Sequence, residues 1–270
     1  SALPKAPTKI NPITNPKRAK QRQEYVLRKM HELNFITDQQ YQEALAAPIK
    51  PVKGNLSADV MTNAEYVAEM ARQAMVERYQ DKAYTQGFKV YTTIDSQLQL
   101  EATNSLRTGL LDYDARHGYR GAEAYADISG VEDTDLERLD DEIGKFIDSG
   151  DLRAALVLDA SSRKVTAYLQ GGESVEITGS GLQIAQRHLG SRANPNNQIR
   201  RGAIIRVQET EKGWRIRQLP AAEAALVAVN PDTGAVVALA GGFDFNRNRF
   251  NHVTQAWRQP GSSFKPFIYS

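Results

Sequence analysis

The sequence predicts an α+β, multidomain chain, and three observations predict it. Residues 1–80 carry apolar side chains only at helical spacing, with no strand pattern. From Leu152 the chain turns to short β-branched runs separated by tight turns. A strand–helix unit before that stretch and an apolar hairpin after it supply the remaining layer. With 270 residues, 41% hydrophobic and 24% charged, there are apolar side chains enough for a core, so disorder throughout is excluded.

The helical part begins at Asn15-Pro16, a cap residue followed by proline at the first helical position. Val26, Leu27, Met30 and Leu33 then recur at helical spacing until Asn34, and Thr37 opens a shorter helix through Leu45. Pro48, Pro51 and Gly54 read as a linker, and a third amphipathic helix over 63–79 carries Tyr66, Val67, Met70, Ala74 and Met75. Residues 88–94 are β-branched and aromatic and predict a strand. Asp95 caps the next helix, whose expected apolar stripe is Leu98, Leu100, Leu106 and Leu110.

Eleven carboxylates between Glu123 and Asp151 face only Arg138 and Lys145, and read as a solvated helix and loops. Residues 154–158 and 165–169 flank a hairpin turn, and further strands are expected near 202–209 and 214–218. Together they predict a small closed or half-closed β module, an OB-like barrel. Arg200, Arg201, Arg206, Lys212, Arg215 and Arg217 outnumber Glu209 and Glu211 there. They form either a polyanion-binding face or, the blander reading, a solvated edge that discourages strand pairing. Residues 224–230 and 235–240 bracket Pro231-Asp232-Thr233-Gly234 as a near-continuously apolar hairpin, expected to be covered on both faces.

Composition removes several chemistries. Without cysteine there are no disulfides, thiolate nucleophiles or cysteine zinc sites. The histidines, His31, His117, His188 and His252, stand apart with no pair at ligand spacing, so no metal site is expected. A net charge of +2 gives no global field for nucleic acid, and no apolar run approaches the roughly 18 residues of a transmembrane helix. Residues 1–20 are rich in proline and lysine rather than signal-like, and both ends read as interior to a longer protein.

The strongest chemical signal is Gln259-Pro260-Gly261-Ser262-Ser263-Phe264-Lys265-Pro266. Ser262 and Lys265, three apart, share a helical face, so the lysine amine can take the serine proton and make the hydroxyl nucleophilic. Pro260-Gly261 marks a helix start. The positive helix end disfavours ammonium on Lys265 and favours an oxyanion beside the Ser262 amide. Pro266 is tolerable only within the first turn. The same spacing occurs at Ser161 and Lys164, where the expected hairpin makes it turn chemistry.

That octet resembles the active-site motif of the class A (bifunctional) penicillin-binding proteins, 1A type. The resemblance extends to Val90-Tyr91-Thr92-Thr93-Ile94-Asp95 with Leu98, Gln99 and Ala102, and to Val229-Asn230-Pro231-Asp232-Thr233-Gly234 with Ala240-Gly241-Gly242. Leu3-Pro4-Lys5-Ala6-Pro7, Asn11-Pro12 and Arg22 with Val26, Leu27 and Met30 are similar to the end of the family's glycosyltransferase domain. The resemblance implies residues 1–47 as that end, 48–86 as a helical linker and 121–218 as an inserted OB-like domain. Residues 87–120 and 219–270 become an incomplete penicillin-binding/beta-lactamase-like transpeptidase domain. Ser262 is then the nucleophile acylated by the D-Ala-D-Ala end of a peptidoglycan stem peptide, and Lys265 its general base.

The family's S-x-N and K-[ST]-G motifs occur nowhere in these residues, nor can any residue be assigned to glycan polymerisation. Alone, the chain is therefore expected to be inactive. No cofactor is expected in the transpeptidase part, while the glycosyltransferase part leaves room for a divalent metal. Implied partners are stem peptides, glycan strands, a lipid-linked precursor, beta-lactams and a regulatory protein at the OB-like domain, with no nucleic acid. Implied location is the bacterial periplasm, anchored to the inner membrane by an N-terminal helix outside these residues. A reading of another class is a non-catalytic glycan- or protein-binding module working through the OB-like insertion.

Overall fold

Capping chemistry sets the first helices. In the computed structural model, which describes residues 16–47, 63–190 and 193–269, with side chains from Ala19 onward in the first stretch, α1 (Pro16–Glu32) ends just before Asn34 turns left-handed at φ 57°. α2 (Asp38–Ala46) opens on a capping box: the Thr37 hydroxyl accepts from Gln40 N–H, and the Gln40 side chain accepts from Thr37 N–H. His31 stacks on Tyr41 with ring centroids 4.9 Å apart and sits 2.8 Å from Asp38. The Pro48–Gly54 linker lies outside the described residues. The chain divides into two compact units, Ser1–Lys53 with Gly118–Leu219, and Gly54–His117 with Pro220–Ser270.

In the first unit, a sheet runs in the order β1 (Ala124–Tyr125), β5 (Ala203–Thr210), β2 (Leu152–Ala160), β3 (Lys164–Leu169), β4 (Glu173–Thr178), and β6 (Gly213–Arg217) also pairs with β5, all antiparallel. Alternation along β2 feeds two cores. Ala155 and Val157 join Leu169, Ile177, Leu182, Ile205 and Ile216 on one face. Leu156 and Leu158 join Leu139, Ile143, Tyr168 and Ile204 on the other. β4 and β6 are not hydrogen-bonded to each other. A 3-10 segment, Gly179–His188, packs at that gap, where a Cβ on Gly181 would collide with the Trp214 carbonyl. The barrel is half-closed, plugged by a helical turn.

β4, Glu-Ser-Val-Glu-Ile-Thr, carries no strand signal in the sequence, because only Val175 and Ile177 point inward and the rest of the strand is polar. The acidic stretch is more than a solvated face. Within the stretch, the helix Leu136–Ile143 buries Leu139 and Ile143. Asp140 is buried and accepts from Tyr168 Oη at 2.7 Å and Gly171 N–H at 3.0 Å. Asp148 accepts from Ala154 N–H at 2.7 Å. The Asp140 carboxylate can be buried because a tyrosine hydroxyl and a backbone amide satisfy it, whereas Asp148 stays exposed.

In the second unit, α3 (Glu65–Tyr79) is followed by a short helix α4 (Lys82–Thr85), and then α5 (Ser96–Arg116) opens at Asp95, whose carboxylate accepts from the Gln97 and Leu98 amides, each at 2.9 Å. The buried face of α5 is Gln99, Ala102, Leu106, Leu110 and Leu111, whereas Leu98 and Leu100 are exposed, a correction to the expected stripe. Gln99 takes the inward position because its amide exchanges bonds with Leu239, donating to its carbonyl at 2.9 Å and accepting from its N–H at 2.8 Å. The hairpin pairs β7 (Leu226–Val229) with β8 (Val236–Ala240), turned by Asn230 Oδ1, which accepts from Asp232 and Thr233 N–H. One face of β7 stays open: Val227 and Val229 are 47% and 49% exposed, against the expected double cover.

Residues 88–94 are extended but make no ladder. Only Asp95 N–H to the Val237 carbonyl and Thr93 Oγ1 to the Val236 carbonyl join this stretch to β8. Strand composition alone does not make a strand when one end of a segment reaches a partner edge and the rest does not. The helix α3, which the sequence places in a linker, packs onto β8. Among the described residues no helix is long and apolar enough to cross a membrane.

Candidate functional site

Ser262 lies in a 3-10 turn, Gly261–Phe264, that passes directly into a short C-terminal helix, Lys265–Tyr269. Pro260 is already helical at φ -65°, ψ -25°, and Gly261 supplies a left-handed φ of 55°. The Lys265 N–H donates to the Ser262 carbonyl, which puts the two residues one tight turn apart on a shared face. Pro266 falls at the second position of the C-terminal helix, where a missing N–H costs nothing. Both Ser262 and Lys265 are exposed. Around them Phe264, Phe267, Ile268 and Tyr269 are exposed, and Trp257 is 98% exposed.

The tether of this segment is a knot around Gly241-Gly242. His252 N–H donates to the Gly241 carbonyl at 2.9 Å, and the imidazole Nδ1 lies 2.9 Å from the same oxygen. Asn251, buried, accepts from Val253 N–H through its side chain and from Gln255 N–H through its backbone; its own N–H donates to Gln255 Oε1 at 2.7 Å. Tyr66 of α3 closes the knot, donating to the Asn248 carbonyl at 2.7 Å and meeting Phe245 edge-on at 5.1 Å. Burial, with the carboxylates of Glu223, Asp244 and Glu65 nearby, pushes the Tyr66 phenol up, so it stays a donor. Burial likewise raises Glu65.

Elsewhere, the structure disperses what the sequence grouped. Ser161 Oγ accepts from Arg163 and Lys164 N–H, so that serine–lysine pair is turn chemistry, as expected. The basic residues of the β module do not form one face. Arg206 is buried and bidentate on Glu123, and Arg201 is bound to Asp133 and to the Val131 and Leu158 carbonyls. Arg200 lies over the Tyr125 ring at 4.9 Å. Among the described residues no group of three or more His, Cys, Asp or Glu side chains is arranged to hold a metal ion. Sequence reasoning missed one feature, an open groove of about 710 Å³ between α3 and the extended segment, lined by Val67, Met75, Phe88, Val90, Ile94 and Leu100. Its walls were legible as an apolar stripe and an alternating run, but no local signal says that they face each other across a gap.

Comparison with known proteins gives a consistent answer. The family profile described as penicillin-binding protein OB-like domain matches residues 119–222. Penicillin-binding protein 1A of Neisseria cinerea is 44% identical over 271 residues, covering 100% of this chain and 34% of the relative. The same protein of Pseudomonas aeruginosa is 41% identical over 281 residues, covering 100% of this chain and 33% of the relative. Among solved structures, penicillin-binding protein 1A from Haemophilus influenzae superposes with a TM-score of 0.68 at 35% identity, over 99% of this chain and 38% of that one. The chain thus spans about a third of the length of the curated relatives it matches.

Proposed function

The chain belongs to the class A penicillin-binding proteins, 1A type, and from that premise we propose that the protein containing it polymerises and crosslinks peptidoglycan, with Ser262 as the nucleophile of the crosslinking step. The observation that carries this reading is the placement of Ser262 and Lys265 one turn apart on an exposed helical segment. Lys265 Nζ takes the Ser262 Oγ proton as Oγ attacks the carbonyl of the penultimate D-Ala of a stem peptide. The O–C bond forms, the C–N bond to the terminal D-Ala breaks, and the lysine returns the proton to the departing amine. A neighbouring stem amine then attacks the acyl carbon, forming the crosslink and freeing the serine. A beta-lactam opens its C–N bond in the same first step but keeps the amine tethered, leaving Ser262 acylated.

Within this reading, residues 1–47 belong to the end of a glycosyltransferase domain, 87–120 and 219–270 to the first part of the transpeptidase, and 121–218 to an insertion. The protein works on the periplasmic face of the inner membrane, on glycan strands and a lipid-linked precursor. The test uses the full-length protein with a fluorescent penicillin and an adduct mapped by mass. One adduct on the peptide holding Ser262 is expected, absent in Ser262→Ala, with labelling slowed roughly 10²–10⁴-fold in Lys265→Ala. An adduct on another residue, or none, would overturn the assignment.

A further inference from the structure

The tether between the β7–β8 sheet and the Ser262 segment, among the described residues, is the 251–255 turn, in which Gln255 closes on Asn251 and His252 meets the Gly241 carbonyl through its N–H and its imidazole. Beyond it, backbone bonds are local only, Arg258 to Ala256 and Ser263 to Pro260. Whatever fixes Asn251 therefore fixes where the serine segment starts. Besides the His252 bonds to Gly241, three contacts fix it. Asn251 Nδ2 reaches Met70 Sδ of α3 at 3.3 Å. Tyr66 Oη holds the Asn248 carbonyl. Both side chains lie hard against Gly241-Gly242: a Cβ on Gly241 would stand 2.6 Å from Asn251 Oδ1, and a Cβ on Gly242 2.5 Å from Tyr66 Oη. The two glycines are needed because Tyr66 and Asn251 occupy the space a side chain would fill.

We propose that Tyr66 of α3, with Asn251 and the Gly241-Gly242 step, is a positioning clasp that sets the location of Ser262 for acylation, so that α3 reports on the serine although it lies far from it in sequence. This rests on the assignment of Ser262 as nucleophile. The physical cause is simple: α3 contributes a hydroxyl and a thioether to one loop, and that loop ends seven residues before the serine. A reacting hydroxyl displaced by about 1 Å loses roughly 10²-fold in rate, so a clasp that moves the loop by less is still read in kinetics.

The clasp also makes a specific demand on pairs of substitutions. Gly242→Ala forces its new methyl against Tyr66 Oη, and Tyr66→Phe removes that oxygen while keeping the ring. Coupled residues give non-additive effects.

The experiment measures the second-order rate of fluorescent-penicillin acylation in the full-length protein, well below its melting transition, alongside the melting temperature. Tyr66→Phe is expected to slow acylation about threefold to tenfold and Gly242→Ala about 10²-fold. The double variant should recover much of the Gly242→Ala loss. Should all three variants acylate at the wild-type rate while only their melting temperatures fall, the clasp is structural and the proposal is overturned. If Gly242→Ala does not fold, Tyr66→Phe and Met70→Leu carry the same readout, and wild-type rates in both overturn it. Absence of labelling in the wild type sinks the nucleophile assignment itself, a different result from equal labelling of wild type and variants.

Discussion

Arg206 is 4% exposed, and its guanidinium is held by both oxygens of Glu123, at 2.7 and 2.8 Å, and by the Ile147 carbonyl at 2.7 Å. A buried cation is tolerable only while its donors are used, so removing the carboxylate leaves charge without a partner. Glu123→Ala is expected to destabilise the β module by about 2 kcal/mol, below the cost for a fully buried pair because Glu123 keeps a third of its surface in water. Replacing both, Arg206→Met with Glu123→Leu, should recover most of that loss. Amide exchange along β5 reads it out, and unchanged protection in Glu123→Ala would show the pair to be idle. At this scale the sequence is half legible. Ser262 and Lys265 stand out because a fixed local spacing brings them together. The sequence groups Arg206 with surface bases because its partner lies 83 residues upstream, and no local pattern carries that distance.

The same limit governs whole elements. Helices opened by Thr37 and Asp95 could be read because a cap and its amides are neighbours in sequence. β4 could not, since a strand whose polar positions face water looks like a loop until its pairing with β3 is known. Gln99 shows how a polar residue takes over an apolar position. β8 is paired with β7 on one edge, and at Leu239 the Gln99 amide supplies both a donor and an acceptor, while Nε2 also reaches the Asn63 carbonyl at 2.5 Å. An apolar replacement of similar size leaves these backbone groups unpaired, each costing about 1–3 kcal/mol. Gln99→Leu is therefore expected to destabilise the unit by roughly 3 kcal/mol, despite adding apolar surface to a buried site. Hydrogen exchange at the Leu239 amide should accelerate more than at Ala238. Equal acceleration along the strand would point to general loosening rather than a lost bond.

For the molecule as a whole, the consequential feature is how the β module is stitched at its ends. Gln218 accepts from the Arg120 N–H at 2.9 Å and donates to the Gly118 carbonyl at 2.9 Å, while Arg120 reaches the Leu219 carbonyl at 2.5 Å. The chain enters and leaves the module at one point, sealed by a side chain that is 8% exposed. A segment with adjoining ends and its own two-faced core is expected to fold alone, because few contacts within it depend on flanking chain. A polypeptide of residues 118–222 should thus give a cooperative thermal transition, and Gln218→Leu should lower its midpoint by about 4–8 °C for each kcal/mol lost. Conversely, bridging 117 to 220 with a short Gly-Ser linker in the full-length protein should leave Ser262 open to penicillin, since the clasp and the serine segment belong wholly to the other unit. A non-cooperative or aggregating 118–222 polypeptide would mean that the stitch joins a module unable to stand by itself. The deletion protein then separates the causes: retained labelling keeps the units independent in function, and lost labelling makes the module a structural part of the acylation site.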